Sequence, residues 1–252
     1  MAVPLASSST PQFIPKGPGI KGGGVAAVGA CFGVLASVAV QFAFALASGS
    51  FDPTQSVSFF VASELALWVC FFGATMVATR MNGSGSLVTD FGLSWPTFKD
   101  TWTGVLGGVI GRLWPLLFVI LIVIANGQGF DTPNSTAHRV LGLAPNGAWQ
   151  WLLIGLFVVV GAPFFEELFF RGLVQGAFTR RVGAVPAIFI TALIFSAVHT
   201  INEGLLAPVV LLPMALILGY LKHKTGRLAA GMVAHATFNA SVFLLFLVPA
   251  FR

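Results

Sequence analysis

The sequence predicts an all-α protein, a polytopic transmembrane helix bundle of about seven helices within a range of six to eight. Three observations carry that prediction. Only 8% of the 252 residues are charged and 56% are hydrophobic, whereas an ordinary soluble domain is about 25% charged. Apolar runs long enough to cross a bilayer, which takes about 20 residues, recur along the chain. The basic residues also sort by loop: with the N-terminus inside, inner segments hold Lys16, Lys21, Arg80, Lys99, Arg180, Arg181, Lys222, Lys224 and Arg227, and outer segments hold only Arg139 and Arg252. That is the asymmetry of a membrane protein with a cytoplasmic N-terminus and an odd number of crossings, expected in the plasma membrane. The net charge of +5 follows this topology and does not call for nucleic acid as a partner. Membrane lipid is the implied surrounding.

Residues 1–24 are rich in Ser, Pro and Gly and lack periodicity, so they read as a disordered cytoplasmic tail. Residues 25–148 hold the first transmembrane helices, with apolar segments at 25–48, 57–79 and 102–125. Residues 149–248 form a second region with segments at 149–180, 184–200, 206–221 and 228–248. "ALAS" at 45–48 resembles a signal-peptide cleavage site, but the preceding apolar run is about twice the usual 7–15 residues, which favours a retained helix. "GLSWPTFKDT" (92–101) reads as an interfacial turn. The fourth segment, at 1.5 Å per residue, spans about 48 Å and exceeds the hydrocarbon core. Pro163 is the expected kink in it. Cys31 and Cys70 lie in separate apolar runs and are expected to be buried free thiols. GxxxG spacings at 104–108 and 172–176 suggest close helix packing.

Charges inside the apolar segments are the informative exceptions, because each costs about 2.5–3.5 kcal/mol at the bilayer centre on insertion scales. "PFFEELFFRG" (163–172) holds three. Glu167 and Arg171 are four apart and can pair on one helix face. Glu166 is about 100° round the helix and needs a partner elsewhere. Downstream, His199 ends "FSAVH", and His235 and Asn239 in "HATFN" share a face of the last helix. Measured from the inner boundary, Glu166 lies about 21 Å along its helix and His199 about 27 Å, with His235 and Asn239 at about 12 and 18 Å. Tilt and a projecting fourth helix would bring all four to one depth.

A partly desolvated carboxylate can act as a general base toward water, and a nearby imidazole can share that water or relay its proton. His235 and Asn239 can donate hydrogen bonds to a developing oxyanion. The set suits acyl-bond hydrolysis without a covalent intermediate. Glu166, His199 and His235 would alternatively serve as zinc ligands. Each feature also has a plainer role: an ion pair or a lone His often only joins helices. Arg112 in "GGVIGRLWP" would pair with Glu64 or line the cavity. Glu203, four residues after His199, is either an exposed loop acid or a group that orients the imidazole.

"EELFFR" (166–171), "FSAVH" (195–199) and "HATFN" (235–239) resemble, in order, the EExxxR, FxxxH and HxxxN motifs of the CPBP family. That family comprises CAAX proteases and bacteriocin-processing enzymes, including type II CAAX prenyl endopeptidases. The resemblance implies an intramembrane endopeptidase in which Glu166 and His199 activate water and His235 and Asn239 stabilise the oxyanion. Glu167 and Arg171 would hold the site in shape. It implies a protein or peptide substrate, lipidated or not. The family's metalloprotease and metal-independent glutamate readings both stay open, with no cofactor favoured and zinc as the alternative. An ion- or proton-coupled transporter and a non-catalytic immunity or scaffold protein are the competing functions. The confinement of all three motifs to the last hundred residues favours the protease, since transporters more often show paired broken helices in two related halves.

Overall fold

The computed structural model describes residues 20–49, 57–126, 148–200 and 204–247. These residues form helices and contain no strand. In chain order they are α1 (Ile20–Ser48), α2 (Val57–Asn82), α3 (Leu87–Phe91), α4 (Phe98–Asn126), a continuous α5 (148–182), α6 (Ala184–Val198), α7 (Ala207–Thr225) and α8 (Ala229–Leu247). The seven expected helices are present. The addition is α3, whose five residues carry too little pattern to be seen in sequence; Ser86 caps its start and Gly92, at φ 69°, ends it. Four helices hold stretches long and apolar enough to cross a bilayer: Gly23–Ala47, Val57–Asn82, Phe98–Leu121 and Trp149–Val182. The chain is a multi-pass integral membrane protein.

Several expectations need correction. Helix α1 begins at Ile20, so residues 20–24 belong to it and not to a tail; residues 1–19, Arg139, Glu203 and Arg252 lie outside the described residues. Lys222 is not a loop residue. It lies in the last turns of α7, and its buried ammonium donates to the carbonyls of Phe91 (2.5 Å) and Gly226 (2.9 Å). Both carbonyls stand at helix C-termini, where cations are favoured. The 92–101 stretch is more than an interfacial turn, because Phe98 already opens α4 and Arg227 clamps the segment. Its guanidinium meets Asp100 (3.1 Å), the Ser94 hydroxyl (2.9 Å) and the Trp95 carbonyl (2.8 Å). Trp95 and Phe98 nevertheless stay exposed, as aromatic anchors at a membrane surface would. Cys31 and Cys70 are free, but neither is buried as expected: Cys31 is exposed on α1 and Cys70 half-buried on α2.

Helix α5 continues through Pro163, the expected kink position, without interruption of its helical structure. Two π-helical stretches, Leu156–Gly161 and Glu167–Val174, flank the α-helical turn Ala162–Glu166. A π stretch adds one residue to a turn and so offsets the following side chains by about 100°. This local widening, which leaves no mark in hydrophobic periodicity, accommodates the proline.

Packing follows small residues. A Cβ on Gly104 or Gly108 of α4 would strike α8 at Val233 (2.6 Å) or Thr237 (2.6 Å), so the first GxxxG is a helix contact. In the second, Gly172 faces Phe91, whereas Gly176 faces open space. Helix α2 lays Trp68 across α5 between the rings of Phe157 and Phe165, each 4.9 Å away and nearly parallel. Those two rings stand two turns apart, and Gly161 midway between them leaves the indole room. Phe71 stacks on Phe169 at 4.1 Å one turn further along α2. These rings fix α5, which carries the intramembrane charges, against α2.

The Trp68 cradle gives the first prediction. Gly161→Ala puts a methyl group where the indole lies, and overpacking of a tight core costs about 1–3 kcal/mol. Thermal unfolding of the purified variant should show that loss, and it should shrink when Trp68→Leu is added. An unchanged midpoint in Gly161→Ala would contradict the packing described.

Candidate active site

The Glu167 carboxylate is fully buried, and its Oε1 takes two donors. Arg171 Nη1 reaches it at 3.0 Å along α5, and His235 Nδ1 reaches it at 3.1 Å from α8. The same guanidinium also donates from Nη2 to the Ala215 carbonyl of α7 at 3.2 Å. Its carbon lies 4.3 Å from the centre of the Phe195 ring on α6, a cation–π contact. Gly231 of α8 makes the approach possible, since a Cβ there would sit 3.2 Å from Glu167 Oε2. The expected Glu167–Arg171 pair is therefore present. Sequence spacing gave no hint that His235 completes it.

Phe195 is the hub of the aromatic side of the site. It meets Phe170 edge-on at 5.1 Å, His199 at 4.5 Å and His235 at 5.9 Å between ring centres. One turn later His199 directs Nδ1 at the Phe195 carbonyl, 2.7 Å away. A carbonyl only accepts, so Nδ1 carries a proton, and in its neutral form the ring presents a lone pair at Nε2. That Nε2 stands 3.9 Å from Oε2 of Glu166. The gap is too long for a hydrogen bond. Glu166 Oε2 is buried and has no hydrogen-bond partner. With the ring neutral and the carboxylate ionised, two acceptors face one another across that space.

On α8, His235 Nδ1 faces an acceptor as well, so its Nε2 can donate only when the ring is charged. Asn239 lies one turn further, with its Nδ2 bonded to the Val158 carbonyl of α5 at 2.8 Å. Glu166, Glu167, Arg171, His199 and His235 are thus brought together, and Asn239 reaches the same helix two turns before Glu166. Arg112 does not pair with Glu64. It ties α4 to α8 through the Ser241 hydroxyl (2.8 Å), the Phe238 carbonyl (2.7 Å) and the Phe238 ring (3.8 Å). Glu64 instead lies half-buried on α2 within Coulombic reach of Glu166. Its place one turn before Trp68 on the same face of α2 would have been the sequence signal for this.

Zinc requires three or four converging ligands. Both histidines have Nδ1 anchored and Nε2 turned outward, the usual preparation of a metal-binding imidazole. Among the described residues, however, no group of three His, Cys, Asp or Glu side chains is placed to hold a metal ion.

The fold and these groups define a helical membrane protein with an acid–imidazole pair at the centre of a buried polar cluster. Residues 148–241 match the family described as Type II CAAX prenyl endopeptidase Rce1-like, a family of proteases. The match spans α5 to α8 up to Ser241 and so contains every residue of the cluster except Glu64. No curated protein and no solved structure gave a match.

Removing Arg171 would leave Glu167 buried with one donor fewer and a charge uncompensated. Breaking a buried pair from one side costs about 3–5 kcal/mol. Arg171→Ala should therefore lower folded yield and the unfolding midpoint, and adding Glu167→Gln should recover part of both. An Arg171→Ala protein that folds normally and is inactive would move Arg171 from support to chemistry.

Proposed function

We propose that the protein is an intramembrane endopeptidase that hydrolyses a peptide bond with water activated by Glu166 and His199. The carrying observation is the pair of facing acceptors, Glu166 Oε2 and His199 Nε2, 3.9 Å apart. A water molecule between them donates one hydrogen to each and turns its lone pairs outward. As the oxygen attacks a carbonyl carbon, one of its protons passes to Glu166, which acts as the general base. The tetrahedral oxyanion takes hydrogen bonds from charged His235 at Nε2 and from the Asn239 amide, which has a second N–H beside the one on Val158. Collapse breaks the C–N bond, and Glu166 returns the proton to the leaving amine. Glu167 offsets the charge that His235 carries during the step.

The match to a CAAX endopeptidase family supports a protein or peptide substrate, lipidated or not, that reaches the site from the membrane. The orientation with an inner N-terminus in the plasma membrane rests on the distribution of Lys and Arg. Metal-independent water activation is favoured because the unpartnered Glu166 carboxylate and the His199 Nε2 beside it suit a water bound between two acceptors. A transporter would use the same charges as a proton path, but it has no need of a water pinned between two acceptors.

Glu166→Gln keeps the shape and removes the base, so peptide cleavage by purified enzyme should disappear while folding is retained. Asn239→Ala should slow turnover by about 100- to 1000-fold, as loss of one oxyanion donor does. Chelators that reach the site should leave wild-type turnover intact. Stoichiometric zinc, lost with activity and restored with it, would overturn the metal-free reaction, and full turnover by Glu166→Gln would overturn the assignment of the base.

A further inference from the structure

The amide of Asn239 is spent, in part, on a carbonyl that helix α5 cannot satisfy by itself. In the π stretch Leu156–Gly161 the N–H of residue i bonds the carbonyl of residue i−5, and the N–H of Ala162 accordingly reaches Phe157. The next bond in that register would run from residue 163 to Val158. Residue 163 is proline and has no N–H. The Val158 carbonyl is thereby released by its own helix, at a depth where no bulk water can serve it. It is bonded instead by Asn239 Nδ2 at 2.8 Å from α8.

We infer that Asn239 is a positioning residue for the water-activating pair, clasping Val158 so that the proline turn of α5 presents Glu166 to His199. Glu166 closes the single α turn Ala162–Glu166 that begins where the clasp ends. That turn has a π stretch on either side, so its rotation is not dictated by a uniform α-helical ladder. Two restraints set it. Trp68, between Phe157 and Phe165, fixes it from the α2 side, and Asn239 fixes it from the α8 side. Glu167, the next residue, is tied to the same α8 through His235. Two bonds from one face of α8, one turn apart at residues 235 and 239, therefore bracket Glu166 from before and behind. This role stands beside the oxyanion donor of the proposed reaction. It rests on that reading only for its catalytic meaning, since the geometry it sets can be measured without a substrate.

The geometry is read by disulfide trapping between Glu166→Cys and His199→Cys in the full chain, with Cys31→Ala and Cys70→Ala to remove other thiols. Crosslinking is induced in lipid nanodiscs with a short bifunctional methanethiosulfonate reagent, whose spacer replaces the length of the two removed side chains, and followed over time. Adding Asn239→Ala should slow trapping by about tenfold, since small misplacements of reacting groups have large rate effects. Adding Pro163→Ala as well returns an N–H to α5 and should restore most of the rate. A loss that Pro163→Ala fails to relieve overturns the clasp. Should Pro163→Ala fail to fold, Asn239→Leu keeps the volume without the donor and should trap as slowly as Asn239→Ala; trapping at the parent rate in Asn239→Leu overturns the inference. The oxyanion role is tested separately by peptide turnover in otherwise native chains. Pro163→Ala can restore alignment to Asn239→Ala, but it cannot supply the missing donor. Failure of the cleavage reading therefore leaves the trapping result standing, and the reverse holds too.

Discussion

The site depends on one buried carboxylate. Glu167 is fully enclosed by protein, and it keeps its place because Arg171 and His235 converge on one of its oxygens. Arg171 in turn reaches α7 through a backbone carbonyl and α6 through the Phe195 ring. Four helices are thus referred to a single charge. Burial of an ion pair is weak evidence for stability, because desolvation offsets much of the attraction. Its better-attested effect is to specify arrangement: any other packing of α5 against α8 strands a charge in hydrocarbon.

Around that fixed point the aromatic residues set angles. Phe195 has the guanidinium over its ring, meets both imidazoles, and offers its own carbonyl to His199. The motif Phe-x-x-x-His is therefore one structural unit, in which the Phe backbone selects the His tautomer and the Phe ring selects the position. Trp68 does comparable work on the opposite side of α5, where its indole rather than a hydrogen bond determines how the helix lies.

The sequence disclosed the helices and the pairs that lie within one helix, because both obey a fixed period. Glu167 and Arg171 are four apart, His235 and Asn239 likewise, and seven apolar segments stand out against a chain nearly free of charge. Three kinds of feature stayed hidden. Partners distant in sequence, such as His235 with Glu167, Arg112 with Phe238 and Ser241, and Lys222 with Phe91, depend on how helices pack. The π stretches of α5 depend on hydrogen-bond register, to which hydropathy is blind, so Pro163 marked an irregular place in the helix but not the widened turns on either side of it. Helix α3 is too short to carry a period. The Arg112–Glu64 pairing failed for a definable reason: opposite charge is a poor guide when a backbone carbonyl and an aromatic face are nearer.

Helix α6 has 15 residues, which at 1.5 Å each rise about 22 Å, short of the roughly 30 Å of hydrocarbon in a typical bilayer. His199 stands where it stops and binds one of the terminal carbonyls, that of Phe195. Helix ends carry unsatisfied carbonyls, and lipid tails cannot solvate them. A membrane accommodates so short an element by thinning, which draws headgroups and solvent inward on that side. Beside it α1, α2 and α4 hold stretches long enough to cross the full hydrocarbon thickness, so α6 is the short element among long ones. For a reaction that consumes water at this site, a short helix ending at the imidazole would shorten the path from the aqueous boundary to the group that uses it.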